Sequence, residues 1–382
     1  MKAILPSFKP KRQYSNTTLN KAKLKIGIIA NMRFPIEQNF QSGMEGFTYV
    51  LAKKLIDKGH DVTLFTCKGS DTDIKSKCIG PATGLVLPKT KYSVYFAPMY
   101  YEYQAYTKLI IDLCNSNFDV LHNTSVNHLP NIFSDLLPMP LITTLNTLPS
   151  QWLAGSFEHS TNKNNTCVTT SKYMHDIWKP IINSLIIING IDLNKFKYIP
   201  NEAKKDYAIW FGKITPEKGT IYAINAAKKA KIRLKICGAM YNRDYLERNI
   251  RPELNNNIEY LGYVPEEELI KLIARAKVCI NTPYGEQTSG TSIAKALACG
   301  TPVASFDKID VQEILNNKSG CIAKSNDVDS LTRAIVKAQK LDPFECRKRA
   351  EEIANLDEMI SNYENLYKDV IAKHKNITYS GQ

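Results

Sequence analysis

Short apolar runs rich in β-branched residues alternate along this chain with segments whose apolar positions recur every three to four residues. Ile26–Ala30 is the first such run and Glu45–Lys58 the first helical pattern. That helix has Phe47, Val50, Leu51 and Leu55 on one face and Gly59 placed to cap its end. Asp61–Thr66 alternates as a second strand, and further strands are predicted at Ser93–Ala97, Asp119–His122, Leu141–Leu145, Cys167–Thr170 and Leu185–Ile188. A turn at Asn189-Gly190-Ile191-Asp192 and a polar stretch, Tyr198–Asp206, break the rhythm, which then restarts. Strands at Tyr207–Phe211, Arg233–Cys237, Ile258–Tyr260, Val278–Asn281 and Pro302–Phe306 alternate with helices at Ile221–Lys229, Glu266–Ala276 and Thr291–Ala298. Strand–helix alternation is the mark of βαβ units and parallel sheets. We therefore expect an α/β chain of two doubly wound, Rossmann-like domains facing a central cleft. The expected parts are a leader at 1–23, a first domain at 24–196 and a second at 197–357, with a helix at 358–376 packing back on the first. Ligands of such sheets sit at the carboxyl ends of the strands.

Composition narrows the class. The chain has 382 residues, 43% hydrophobic and 23% charged, as in ordinary globular proteins and unlike disordered or fibrous ones. The first 25 residues hold Lys2, Lys9, Lys11, Arg12, Lys21, Lys23 and Lys25 without an acid, a large part of the net charge of +13. They lack the apolar stretch of a secretory signal. Such a leader suits an anionic membrane surface or nucleic acid, or is simply solvated. The 9 cysteines form no Cys-x-x-Cys pair, which argues for a reducing cytoplasm and against a disulfide frame or zinc site.

Three stretches carry candidate chemistry. Gly212-Lys213-Ile214-Thr215-Pro216-Glu217-Lys218-Gly219 links a strand to a helix, with glycines that let the backbone approach an anion and lysines that could flank a diphosphate. From spacing alone, a phosphate grip and two solvated lysines on an ordinary turn describe it equally well. Gly290-Thr291-Ser292 opens another helix and Ser42-Gly43-Met44 a third, where free N–H groups favour anions or simple capping. Asp71-Thr72-Asp73 spells a triplet used elsewhere to hold a divalent metal, but it stands in a polar loop of the other half and reads as loop chemistry.

Together these stretches resemble the family 4 glycosyltransferases, retaining enzymes of GT-B fold, from about Leu24 to about Ile371. The resemblance rests on Ser42-Gly43-Met44-Glu45, Gly59-His60-Asp61-Val62-Thr63-Leu64-Phe65, Asn189-Gly190-Ile191-Asp192-Leu193 and Gly212-Lys213 with Lys218-Gly219. Ala296-Leu297-Ala298-Cys299-Gly300-Thr301-Pro302-Val303 and Tyr363-Glu364-Asn365-Leu366-Tyr367 complete it. It implies a nucleoside-diphosphate sugar bound mainly by the second domain, and a saccharide or lipid-linked saccharide acceptor held mainly by the first. It also implies that Lys213 and Lys218 neutralise the leaving diphosphate, helped by the amides of Thr291 and Ser292 and by the approach of Gly43, with no metal or other cofactor.

The chain departs from that family at three places. Two family glutamates eight apart correspond to Gln287, which can still bond a sugar hydroxyl, and to Lys295, which cannot accept hydrogen bonds from a ribose. Glu286 stands one place from the first. Asn146 occupies the usual position of a histidine near the transferred sugar, whereas His122 matches a common family histidine or is a satisfied strand-end residue. These changes point to altered donor choice, with Lys295 meeting an extra negative charge, or to a GT-B homologue kept as a binding or regulatory subunit. The expectation is an active cytoplasmic transferase, peripheral to a membrane through its leader. A nucleic-acid acceptor is suggested by charge alone.

Overall fold

The computed structural model describes residues 23–37, 40, 43–70, 73–85, 97–158, 161, 163–284 and 290–380. The first sheet contains β1 (Lys25–Ile29), β2 (Asp61–Cys67), β3 (Ser76–Gly80), β4 (Val120–Asn123), β5 (Leu141–Leu145), β6 (Asn165–Thr169) and β7 (Ser184–Ile186). Their order is β3-β2-β1-β4-β5-β6-β7, with the pairings of β1 to β2 and β4, β2 to β3 and β4 to β5 all parallel. β1 and β5 are almost wholly buried, as befits central strands of a parallel sheet covered on both faces. Helices α1 (Gly43–Asp57), α2 (Ala97–Cys114) and α3 (Gln151–Glu158) belong to this half.

The second sheet is six-stranded and parallel, in the order β10-β9-β8-β11-β12-β13. Its members are β8 (Lys205–Phe211), β9 (Arg233–Cys237), β10 (Ile258–Tyr260), β11 (Ala276–Asn281), β12 (Val303–Phe306) and β13 (Gly320–Ala323). Helices α4 (Thr220–Lys229), α5 (Glu266–Arg275), α6 (Thr291–Ala298) and α7 (Pro343–Ile353) accompany it, and α8 (Leu356–Ser380) follows. One core joins Ala223, Ile224 and Ala227 of α4 to Ile236 and Ile280 of the strands. A second core joins Ile293 and Leu297 of α6 to Ile209 and Cys279.

The chain divides into two compact units, Met1–Leu145 with Pro149–Val168 and Asn362–Gln382, and Asn146–Leu148 with Thr169–Ser361. The boundary between these units falls within β6, at Val168–Thr169. Ala97 opens α2 instead of ending a strand, and the rest of the strand expected at Ser93–Ala97 lies outside the described residues. The leader at 1–22 also lies outside them. Among the described residues, no helix is long and apolar enough to cross a membrane.

Candidate functional site

In the second unit, the ends of β8 and β11 and the start of α6 converge on one open cleft. Trp210, Phe211, Gly212, Lys218, Asn281, Pro283 and Ser292 line it. The loop from Gly212 to Gly219 is held by its neighbours. The Gly212 N–H donates to Cys237 O at 3.0 Å, Trp210 Nε1 donates to Thr282 Oγ1 at 3.0 Å, and Thr282 Oγ1 donates to Lys218 O at 3.2 Å. Gly219 sits at φ +66°, and a Cβ there would lie 2.1 Å from Thr282 O. Only glycine meets both demands, left-handed backbone and contact with a carbonyl.

The structure brings Lys218, Gly212 and Ser292 together. Gly290 is the N-cap of α6 in the left-handed conformation, so Thr291 and Ser292 form the first turn, whose N–H groups have no carbonyl four residues back inside the helix. The far end of α6 is held by cations. Arg347 on α7 donates to Ala298 O at 2.9 Å and to Phe196 O at 2.7 Å. Lys204 donates to Ala274 O at 2.7 Å, Thr301 Oγ1 at 2.8 Å and Cys299 O at 3.4 Å. Burial lowers the Lys204 ammonium to about 8. Cations at a helix C-terminus complement its dipole, and here they fix the helix that points at the cleft.

Lys213 does not line the cleft; its ammonium lies 4.1 Å from the centre of the Tyr241 ring. Such a contact stabilises by about 0.5–1 kcal/mol at an exposed site, little enough for an arriving anion to overcome. Lys295 is engaged by the chain itself, donating to Glu266 Oε1 at 2.9 Å, with its ammonium 5.3 Å from the Phe196 ring. Glu266, which also receives Lys195, is held below the ordinary carboxylate range: burial works to raise it, but Lys295 and Lys195 prevail. Lys295 is thus already paired with an internal carboxylate.

Gln287, Glu286 and Ser42 lie outside the described residues. Asn146 directly follows β5, is half-buried and does not line the cleft. Gly43 opens α1, exposed, with no atom within 4 Å of where a Cβ would stand. Asp71 and Thr72 are outside the described residues, while Asp73 accepts from Tyr49 Oη at 3.1 Å and pairs with Lys53. Among the described residues, no group of three or more histidine, cysteine, aspartate or glutamate side chains is placed to hold a metal. The lining residues Trp210 and Asn281 went unremarked in the sequence, although both lie at or near strand carboxyl ends, where such folds bind ligands.

His122 is the penultimate residue of β4, fully buried in the first unit. Its Nδ1 meets Tyr367 Oη at 2.7 Å and its Nε2 meets Thr144 Oγ1 at 2.7 Å, while Thr144 Oγ1 meets Tyr363 Oη at 3.0 Å. Burial lowers the imidazole to about 3, so it is neutral. Both ring nitrogens are occupied by the chain, and His122 anchors α8 rather than offering a ligand site.

Residues 41–195 match the family model described as Glycosyltransferase Family 4, and residues 205–340 the model described as Glycosyl transferases group 1. The O-antigen chain mannosyltransferase B of Escherichia coli is 33% identical over 87 residues, 23% of this chain and 22% of that protein. The matches to curated relatives span at most 60% of those proteins' lengths. Among solved structures, the sucrose-phosphate synthase of Thermosynechococcus elongatus superposes with a TM-score of 0.76 at 16% identity, covering 92% of this chain and 100% of that one. The Anabaena protein HepE, in complex with UDP-glucose, gives 0.68 at 15% identity, with 94% and 100% covered.

Proposed function

The chain belongs to the family 4 glycosyltransferases, and from that premise we propose that it moves a sugar from a nucleoside diphosphate to a hydroxyl acceptor with retention. One observation carries the reading: Lys218, the Gly212 backbone and the first turn of α6 line a single cleft at the carboxyl edge of the second sheet. That combination suits a diphosphate, because a point charge, a close backbone and helix amides all favour negative charge. Lys218 holds the leaving diphosphate, and Lys213 swings from Tyr241 to share its charge as the sugar–phosphate bond breaks. The bond from the sugar's anomeric carbon to phosphate oxygen breaks as the bond to the acceptor oxygen forms on the same face. The acceptor's proton passes to the departing phosphate, so no enzyme carboxylate is consumed.

Gly43 and Asn146 belong to the acceptor side of this reading, and Glu286 and Gln287 to the donor sugar. Two lysines and a helix terminus supply the positive charge, so we expect no metal; activity should survive chelation with EDTA. The name of the Escherichia coli relative supports an acceptor of the surface-glycan or lipid-linked saccharide kind. The leader's lysines suit contact with an anionic membrane from the cytoplasmic side.

A thermal-shift series with UDP, GDP and ADP and their common sugars tests the reading. We expect at least one nucleoside diphosphate to raise Tm and Lys218→Ala to abolish the shift, a loss of at least about 100-fold in affinity for a charge-assisted phosphate contact. No shift with any of them would overturn it. Binding without transfer or hydrolysis would identify a regulatory subunit instead.

A further inference from the structure

Three segments that follow strands of the first sheet carry side chains that the transfer chemistry above does not use. Thr83 follows β3, His128 follows β4, and Trp152 stands on α3 after β5. Trp152 is 62% exposed, although the other two tryptophans, Trp178 and Trp210, are 0% and 2% exposed. The His128 ring lies against it, centroids 5.2 Å apart and planes 35° from parallel. One indole face is thus propped from within the protein while much of the ring meets water. Glu102 of α2 is close enough to His128 for its charge to favour the protonated imidazole. Its carboxylate is fixed by Thr83 Oγ1, which donates to Oε1 at 2.6 Å, and the Thr83 N–H is tied to Met32 O at 2.9 Å.

We propose that Trp152, His128 and Glu102 form a saccharide platform, on which a pyranose ring of the acceptor lies against the open indole face and its hydroxyls bond the imidazole and carboxylate. This rests on the reading that the chain glycosylates a hydroxyl acceptor. Three physical arguments favour a sugar. A pyranose presents an apolar face of C–H groups that can cover an indole, and Trp carries apolar area with little rotamer entropy to lose. Burial outweighs Glu102 and lowers the His128 imidazole, which at neutral pH then offers one donor and one acceptor. Glu102 adds acceptors only, so the set matches uncharged hydroxyls, which donate and accept. An anionic lipid headgroup would instead meet the Glu102 charge at the same place.

The test titrates the full chain with an array of hexose, hexosamine and deoxyhexose oligosaccharides, reading tryptophan emission and direct binding. Because Trp178 and Trp210 are buried, a change in emission on glycan binding reports Trp152. The wild-type chain should bind at least one glycan, and Trp152→Ala should weaken it at least tenfold while leaving nucleoside-diphosphate affinity unchanged. Trp152→Phe should recover part of the loss, and Glu102→Gln should weaken binding severalfold. Trp152 is exposed, so its truncation leaves the core intact, and an unchanged Tm confirms folding. No glycan bound by the wild type, or equal binding by Trp152→Ala, overturns the platform. So does a Trp152→Ala loss confined to phosphatidylglycerol vesicles, which would make this a lipid contact. A chain that binds glycans through Trp152 but no nucleoside diphosphate would break the transferase reading and leave the platform standing.

Discussion

His122 lies near the carboxyl end of a strand of the first sheet and Lys218 follows one of the second, yet the two are treated in opposite ways. His122 is 0% exposed, with both ring nitrogens answered by hydroxyls of its own unit, and burial keeps it neutral. Lys218 lines an open cleft beside the start of a helix. The two places thus hold opposite devices, a closed polar network that fixes structure and a lysine on the rim of an open cleft. The difference follows from what packs above each edge. The tyrosines of α8 seal the first network, whereas Gly212 and Gly219 supply no side chains to cover the second. A polar residue at a strand end is therefore not evidence of a site until its partners are known.

Acid should break the closed member of this pair most strongly. The folded chain keeps His122 neutral down to about pH 3, while the unfolded chain protonates it near 6.5. Below 6.5 the unfolded state takes up a proton that the folded state refuses, so this contribution is complete above 6.5 and is lost as pH falls towards 3. The shift corresponds to at most about 5 kcal/mol. Urea denaturation of the wild type and His122→Asn between pH 7 and pH 4 should show a flatter profile in the variant. Equal profiles would remove His122 from the account.

Gly219→Ala attacks the open member. With φ at +66° and Thr282 O in the way, the loop must shift. Strain of about 1–3 kcal/mol should appear in stability, with nucleoside-diphosphate affinity lost alongside it, and calorimetry reads both. Tyr367→Phe sharpens the contrast by leaving His122 Nδ1 buried without its partner. It should cost about 1–3 kcal/mol of stability and leave nucleotide binding untouched, as urea unfolding and thermal shift would report. Lys295→Met should do least. Its ion pair with Glu266 is partly exposed, so a stability loss of under about 1 kcal/mol is expected from the same unfolding assay.

Five of the six strands of the second sheet were legible as short apolar runs between helical patterns, whereas β13 was not. α2 was not, because Tyr100, Tyr101, Tyr103 and Tyr106 favour strands locally, and its helical face of Tyr106, Leu109, Ile110 and Leu113 emerges only in the packed core. Lys218 and Ser292 could be read as anion contacts because both belong to strand-to-helix turns. Lys295 could not be read, since its partner Glu266 stands 29 residues away and only the fold joins them. His122 and Tyr367 are 245 residues apart, beyond any local pattern.

That last separation has a consequence for biogenesis. The ribosome makes residues 169–361, nearly all of the second unit, before Tyr363 and Tyr367 exist. Until α8 emerges, His122 and Thr144 in the half-made first unit lack the hydroxyls that answer them. The later-encoded unit can thus finish folding first, and the earlier one waits, exposed to chaperones, for its final helix.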